Sequence, residues 1–410
     1  MSKSPGRGSL LVVFLTVFID LLGFGIVLPL LPIYAEEFTL DESGLQLGML
    51  MASFSIMQFF FAPVWGRISD QIGRRPVIMI GLVGSAVFYA LFGYATIQRS
   101  LFLMFVSRIG AGLAGATIST AQAYIADTTS LEQRPKGMAL IGMAFGLGFT
   151  FGPLLGYLAI PSGTGDPGPW PGFAAAALSL LAFFLAVFWL PESLHDDSES
   201  ASHGLNFSQL REALRVPSIA AILLAIFVCV FSFANFETTL ALMIKGRDSV
   251  FRFSFQQVCL TFAYIGFVLA VVQGGVVRRL AGRISEGALA GAGAIAELLG
   301  FFCLVVALQY RAEWMLYLGL TIVVLGFAFI TPSLNSLLSR RSDPNRQGGI
   351  LGIGQSVSSL GRIAGAGLGI PLLKMHPQLP AGVAMLLMAF GFVMIVWGAR
   401  SGKDFGKAVA

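Results

Sequence analysis

Twelve apolar runs follow one another along the chain, and that alternation leaves few folds open to it. A helix needs about 20 apolar residues to cross the hydrocarbon of a bilayer. Inside the bilayer every backbone polar group must find its partner within the protein, which leaves helices and closed barrels as spanning structures. The predicted spans are residues 10–34, 44–65, 77–97, 101–126, 137–160 and 172–190, then 218–244, 255–277, 287–308, 314–338, 349–373 and 381–399. The first run is too long for the core of a signal peptide and contains Asp20, Pro29 and Pro32, so it reads as a retained first helix. Charged residues make up 11% of the chain, against about 25% in soluble proteins, which excludes a soluble globular fold.

Charge then sets topology. The formal net charge of +5 would suggest nucleic acid in a soluble protein, but here the basic residues gather in alternate loops. Arg67, Arg74 and Arg75, Arg134 and Lys136, Arg278, Arg279 and Arg283, and Arg340, Arg341 and Arg346 all fall on one side. The opposite loops are basic-poor, so the positive-inside rule predicts cytoplasmic N- and C-termini. Nucleic acid is not expected as a partner; the lipid bilayer is. Cys229, Cys259 and Cys303 lie inside apolar runs and read as free packed thiols, with no disulfide, metal or cofactor implied.

Between the second and third runs stands Gly66-Arg67-Ile68-Ser69-Asp70-Gln71-Ile72-Gly73-Arg74-Arg75-Pro76, too polar for hydrocarbon and predicted to be a loop, with Gly66 and Gly73 permitting a tight reversal. A degraded copy returns as Gly275 to Arg283, in which Gly66, Gly73 and Arg74 correspond to Gly275, Gly282 and Arg283. The fifth run carries Gly148, Gly152 and Gly156, and the eleventh repeats the spacing as Gly361, Gly365 and Gly369. Steps of four put each trio on one helix face, where small residues let backbones approach. The chain therefore reads as an all-α membrane protein of twelve transmembrane helices in two pseudo-symmetric halves, residues 1–190 and 218–410. Residues 191–217 form an acidic, Ser-rich linker, in which 207–216 is either a short amphipathic surface segment or a simple tether. Tandem halves with a site between them near the midplane are a secondary-transporter plan.

The charged stretch resembles the GxxxDRxGRR signature of the major facilitator superfamily, with Gln71 where that family usually has Arg. Asp20 to Pro29 looks like the first-helix signature of the twelve-span drug:proton antiporters, and Arg108 to Gly112 matches their fourth-helix RxxxG. Gly142 to Gly156, with Gly148, Gly152, Pro153 and Gly156, matches their fifth-helix antiporter motif. Met57-Gln58, Phe61-Ala62-Pro63 and Ile125 to Thr129 are similar to the tetracycline antiporters. Phe231 to Leu240 also resembles the animal tetracycline-transporter-like proteins. The resemblance implies the major facilitator fold, transport and no enzymatic activity. Where the tetracycline antiporters carry a further acid in the third helix this chain has Phe88, which argues against tetracycline–metal complexes as substrate.

Charges inside a span cost about 2.5–3.5 kcal/mol on insertion scales and are functional candidates by default. Five occur: Asp20, Arg108, Glu237, Glu297 and Arg362. His195, His203 and His376 fall in loops, so a membrane proton carrier is expected to be a carboxylate. Asp20 is the first candidate for proton coupling, the alternative being a helix–helix anchor. Glu237 either lines the cavity or sits near the outer interface, and Glu297 matches the ninth-helix acid of the tetracycline antiporters. The resemblance implies proton coupling for Arg108, with Asp20 a reasonable partner, and a buried structural Arg as the alternative. Gln58, Gln122, Tyr124, Asn235, Gln273, Asn335, Gln355 and Arg362 are substrate-binding candidates, individually also compatible with interhelical hydrogen bonds. Asp70 is expected to meet a helix N-terminus and Arg74, with Asp127 as second acid, so that Gly66, Asp70, Gly73, Arg74, Arg75 and Asp127 form a gate on the cytoplasmic side. Arg279 stands at the position of Asp70 in the second copy, which excludes an equivalent latch there.

Gly110-Ala111-Gly112-Leu113-Ala114-Gly115 fits GxGxxG but lies mid-span with no preceding strand, and no P-loop occurs. The expected function is a proton-coupled antiporter in the plasma (inner) membrane, monomeric, exporting small amphipathic organic compounds by alternating access. The alternatives are a facilitator or symporter of an organic anion, for which two intramembrane arginines would suit, and a non-transporting receptor or scaffold.

Overall fold

The computed structural model describes residues 7–27, 31, 45–130, 132–158, 168–194, 215–245, 249–343, 347–402 and 404. Among them are twelve helices long and apolar enough to cross a membrane. They are α1 Arg7–Val27, α2 Leu45–Ile72, α3 Arg74–Ile97, α4 Leu101–Thr128, α5 Arg134–Leu158 and α6 Trp170–Trp189 in the first half. The second half holds α7 Pro217–Lys245, α8 beginning Phe255–Val271, α9 Glu286–Tyr310, α10 Glu313–Arg340, α11 Gln347–Met375 and α12 Leu379–Arg400. Pro29, Pro32 and the expected amphipathic segment 207–216 lie outside or largely outside the described residues.

The pairing of helices makes the internal repeat spatial. In the first half α1 packs on α5 and α6, and α3 on α4 and α6; in the second α7 packs on α11 and α12, and α9 on α10 and α12. Each pair recurs six helices later. The glycine trios are where two of these pairs close. A side chain at Gly152 would fall on the backbone of Gly25 in α1, and one at Gly365 on the backbone of Asn235 in α7. Gly148 meets Leu21 in the same way and Gly361 meets Phe227, while Gly156 lies within α5.

The halves touch mainly through α2 against α11 and α5 against α8. Gly352 lies against the backbone of Ala62 and Pro63, Gly146 against Ala270, and Gly266 against Thr150. These contacts lie from the middle of the helices toward the face from which α1 starts and on which α12 ends, hereafter the termini face.

The charged stretch departs from its predicted form. Helix α2 runs on through Gly66 to Ile72, so Gly66 makes no turn, and the reversal rests on Gly73 alone at φ +102°. Residues beyond the hydrocarbon can remain helical because water and side chains there satisfy what lipid would not. Gly282, the counterpart of Gly73 in the second copy, also has a positive φ of +82°, a conformation that costs glycine nothing.

Two spans are interrupted where sequence predicted continuity. Helix α4 consists of Leu101–Gly115 and Ile118–Thr128 around a break at Ala116–Thr117. Helix α8 passes into a π-helical segment, Val272–Val277, before ending at Leu280. Non-standard helix is costly in lipid and collects at functional sites. Both interruptions border the space between the halves.

Candidate functional site

The break in α4 frees carbonyl oxygens, and α2 satisfies them. Trp65 Nε1 donates to the Leu113 carbonyl at 3.0 Å and Gln58 Nε2 to that of Gly115 at 3.3 Å, while Ser119 Oγ of α4 donates in the other direction to the Ala62 carbonyl of α2 at 3.1 Å. The bend sets Arg108 and Gln122, from the two pieces of α4, along one cavity. That cavity lies between the halves and holds about 190 Å³.

Four of the five intramembrane charges line it: Asp20 from α1, Arg108 from α4, Glu237 from α7 and Arg362 from α11. Asp20 Oδ1 accepts from Ser179 Oγ of α6 at 2.8 Å. Tyr89 of α3 lines the cavity together with Asp20 and Arg108. The expected direct Asp20–Arg108 ion pair is not among those formed by the described residues. Arg108 instead lies over the ring of Phe54, 4.7 Å from its centroid, a cation–π arrangement. It is 2% exposed, and its Nε and Nη1 find no hydrogen-bond partner.

Across the cavity Arg362 Nη1 reaches Gln58 Oε1 at 3.4 Å and interacts electrostatically with Glu237. Gln58 thus joins α4 of the first half to α11 of the second through opposite ends of one amide. Gln273 projects from the π-helical segment of α8 toward Gly142 of α5 and donates to the Ala328 carbonyl at 3.4 Å. Gln122, Asn335 and Gln355 line the same space.

Three candidates lie elsewhere. Tyr124 is wholly buried in the hydrophobic core of the bundle, away from the cavity. Asn235 turns toward α12 and donates to the Pro380 carbonyl at 2.7 Å, anchoring α7 where the glycine face of α11 comes close. Helical phase is the reason, because Asn235 and Glu237 are two residues apart and face opposite ways. Glu297 is fully buried inside the second half, its side chain packed on Gly326 of α10, and neither carboxylate oxygen has a hydrogen-bond partner.

Sequence reasoning missed the walls. Phe24, Phe54, Phe145, Phe233 and Phe327 line the cavity, Phe233 and Phe327 stacking at 3.8 Å across α7 and α10. The chain has 36 phenylalanines, so their number signals nothing about which ones face inward. The serine and tyrosine around Asp20 carried no motif either.

The termini face holds a second cluster. Arg74, 2% exposed, pairs with Asp70 and, through Nε, with Asp127 at 2.9 Å. Asp70 Oδ2 also accepts the backbone N–H of Gly349 at 3.0 Å, at the N-terminus of α11. One aspartate therefore joins Arg74 of the first half to a helix start of the second. Arg75 Nη2 donates to the Val187 carbonyl of α6 at 2.6 Å. Arg134 adds a tie that sequence did not suggest, reaching the Ala126 carbonyl and Ser339 Oγ of the opposite half, both at 3.0 Å. Burial lowers its pKa, a neighbouring Asp127 partly opposing that. In the second half the counterpart cluster is built differently. Arg340 at the end of α10 binds Glu286 at the start of α9 at 2.6 Å and Asp404 at 2.7 Å, so the cation and the acid have exchanged helices relative to Arg74 and Asp127.

Comparison with known proteins sets this geometry in context. The sequence profile of the Major Facilitator Superfamily matches residues 13–366. Major facilitator superfamily domain-containing protein 10 of Mus musculus is 31% identical, covering 88% of this chain and 86% of the relative. Tetracycline resistance protein, class D, of Salmonella ordonez is 30% identical over 85% of each chain. Among solved structures, the human organic anion transporter MFSD10 (TETRAN) superposes with a TM-score of 0.83 at 26% identity, over 96% of this chain and all of that one.

Proposed function

The chain belongs to the major facilitator superfamily, a multi-pass family of membrane transporters, and from that premise we propose that it is a proton-coupled secondary transporter of small amphipathic organic compounds. The observation that carries this reading is the cavity between the halves, where Asp20 and Glu237 stand with Arg108 and Arg362 among aromatic walls. Aromatic faces bind the apolar body of a substrate, and buried carboxylates can exchange a proton against it as access alternates. The tetracycline resistance proteins among the relatives, with the resemblance of Gly142 to Gly156 to the antiporter motif, favour antiport and export. The basic loops support cytoplasmic termini in a plasma membrane, residues 191–217 acting as the linker between two halves of a monomer. The Asp70–Arg74–Asp127 cluster, with Gly349, is then the gate on the cytoplasmic side.

Organic anions are the second reading within the same site. Arg108 favours it, a buried cation with two unpartnered donors at the cavity wall, as does the organic anion transporter among the structural relatives. Both readings meet one experiment. Proteoliposomes are assayed for pH-driven flux of tetracycline, a lipophilic cation and an aryl carboxylate, in the parent and in Asp20→Asn. Flux that responds to the pH gradient in the parent and is abolished in Asp20→Asn is the expected result. Equal flux in a folded Asp20→Asn variant removes Asp20 from coupling. Aryl carboxylate flux without a pH gradient, lost in Arg362→Ala, selects the facilitated-anion reading.

A further inference from the structure

Directly after α6, residues Pro191 to Leu194 fold back onto the start of α3. Glu192 Oε1 accepts the backbone N–H of Arg74 at 2.8 Å, and Oε2 that of Arg75 at 3.1 Å. These are the first two residues of α3, whose N–H groups have no partner within the helix and mark its positive end. Oε1 also accepts from the backbone N–H of Ser193 at 2.8 Å and of Leu194 at 3.0 Å, which fixes the carboxylate from its own side. Gly73 makes room for this arrangement, since a Cβ there would fall on the Glu192 carboxylate. Ser193 Oγ in turn lies 3.4 Å from Asp127 Oδ2.

We propose that Glu192 is a positioning residue of the latch. By holding the backbone of Arg74 and Arg75 it presents the Arg74 guanidinium to Asp70 and Asp127 together, and so sets how firmly Asp70 caps α11. The path is continuous: Glu192 to the Arg74 backbone, the Arg74 side chain to Asp70, and Asp70 to the Gly349 N–H. It begins at the first residues of the connection between the halves and ends on the second half. Displacement of Glu192 relative to α3 therefore reaches the gate without touching the substrate cavity. The inference rests on the reading of the latch as a gate.

The test measures which face is open. Met138, on the cavity wall toward the termini face, and Thr238, on the cavity wall farther along α7, are separately changed to cysteine in a chain whose Cys229, Cys259 and Cys303 are serine. Labelling by a membrane-impermeant maleimide is timed from each face in oriented vesicles, for the parent, Asp70→Asn and Glu192→Gln. Losing the charge of the cap and turning the oxygen that faces Arg75 into a donor amide is expected to speed Met138→Cys labelling from the termini face about fivefold in Glu192→Gln and slow Thr238→Cys labelling from the other. Asp70→Asn should shift both reporters in the same senses. A shift in Asp70→Asn with no shift in Glu192→Gln overturns the role of Glu192 and leaves the latch standing. Faster labelling at both reporters in Glu192→Gln means general loosening and also overturns it. No shift in either variant removes the latch as a gate and the proposal with it.

Discussion

Asp20 and Glu297 are both carboxyl groups within spans, yet their surroundings differ in kind. Asp20 borders the cavity and receives a hydroxyl donor from Ser179 of α6, so its charge has both solvation and access. Glu297 has no donor at either oxygen and no exposed surface. A buried polar group without partners costs roughly 1–3 kcal/mol, and a bare carboxylate far more. Glu297→Gln, which retains the shape without an ionisable group, is therefore expected to keep pH-driven flux and to unfold at the same or a higher temperature. Flux falling to the level of Asp20→Asn would give Glu297 a coupling role despite its distance from the cavity. Sequence revealed that five charges enter the membrane, since charge against an apolar background is visible in any one residue. Which of them face the cavity follows from helix rotation, and single-residue chemistry is silent on that. Asn235 illustrates the point, two positions from a cavity carboxylate and engaged with α12.

Helix contacts in a membrane gain little from hydrophobicity and depend on close packing of small residues. The glycine faces of α5 and α11 pack in this way, and they invite a comparison within one helix. Gly365 lies against Asn235 and Ala234 of α7, whereas nothing comes within 4 Å of a Cβ added at Gly367. Gly365→Val should destabilise the protein by about 1–3 kcal/mol through overpacking. Gly367→Val should leave its thermal midpoint within error, and equal losses in the two variants would show that the spacing of the trio is incidental. Gly152→Val is expected to match Gly365→Val, because the first half repeats the contact at Gly25. These faces were legible because a four-residue step is local. The break at Ala116–Thr117 was not, because its freed carbonyls are satisfied by Trp65 and Gln58 from another helix. Nor did the polarity of residues 66–72 distinguish a loop from a helix that continues past the lipid.

At the scale of the whole molecule, the contacts between halves run from the middle of the helices to the termini face. Asp70 caps α11, Arg134 meets Ser339, and Ser356 Oγ donates to the Phe59 carbonyl, all on paths that must part for access from that side. The degraded repeat foretold two related halves, but not which face would be closed, because Asp70 and Gly349 lie far apart in the chain and meet only on assembly. If transport needs the two faces to open in turn, a covalent bond between α2 and α11 at this level must stop it. Phe59→Cys with Ser356→Cys, joined on oxidation or through a short reducible bis-methanethiosulfonate, supplies that bond. Cross-linking is expected to abolish flux, and reductant to restore it. The cross-linked protein should still bind substrate from the opposite face with affinity within about threefold, since preformed sites lose little when access on one side is barred. Flux that continues through a fully cross-linked population would mean that α2 and α11 do not separate at this level, and would move the gate away from the termini face.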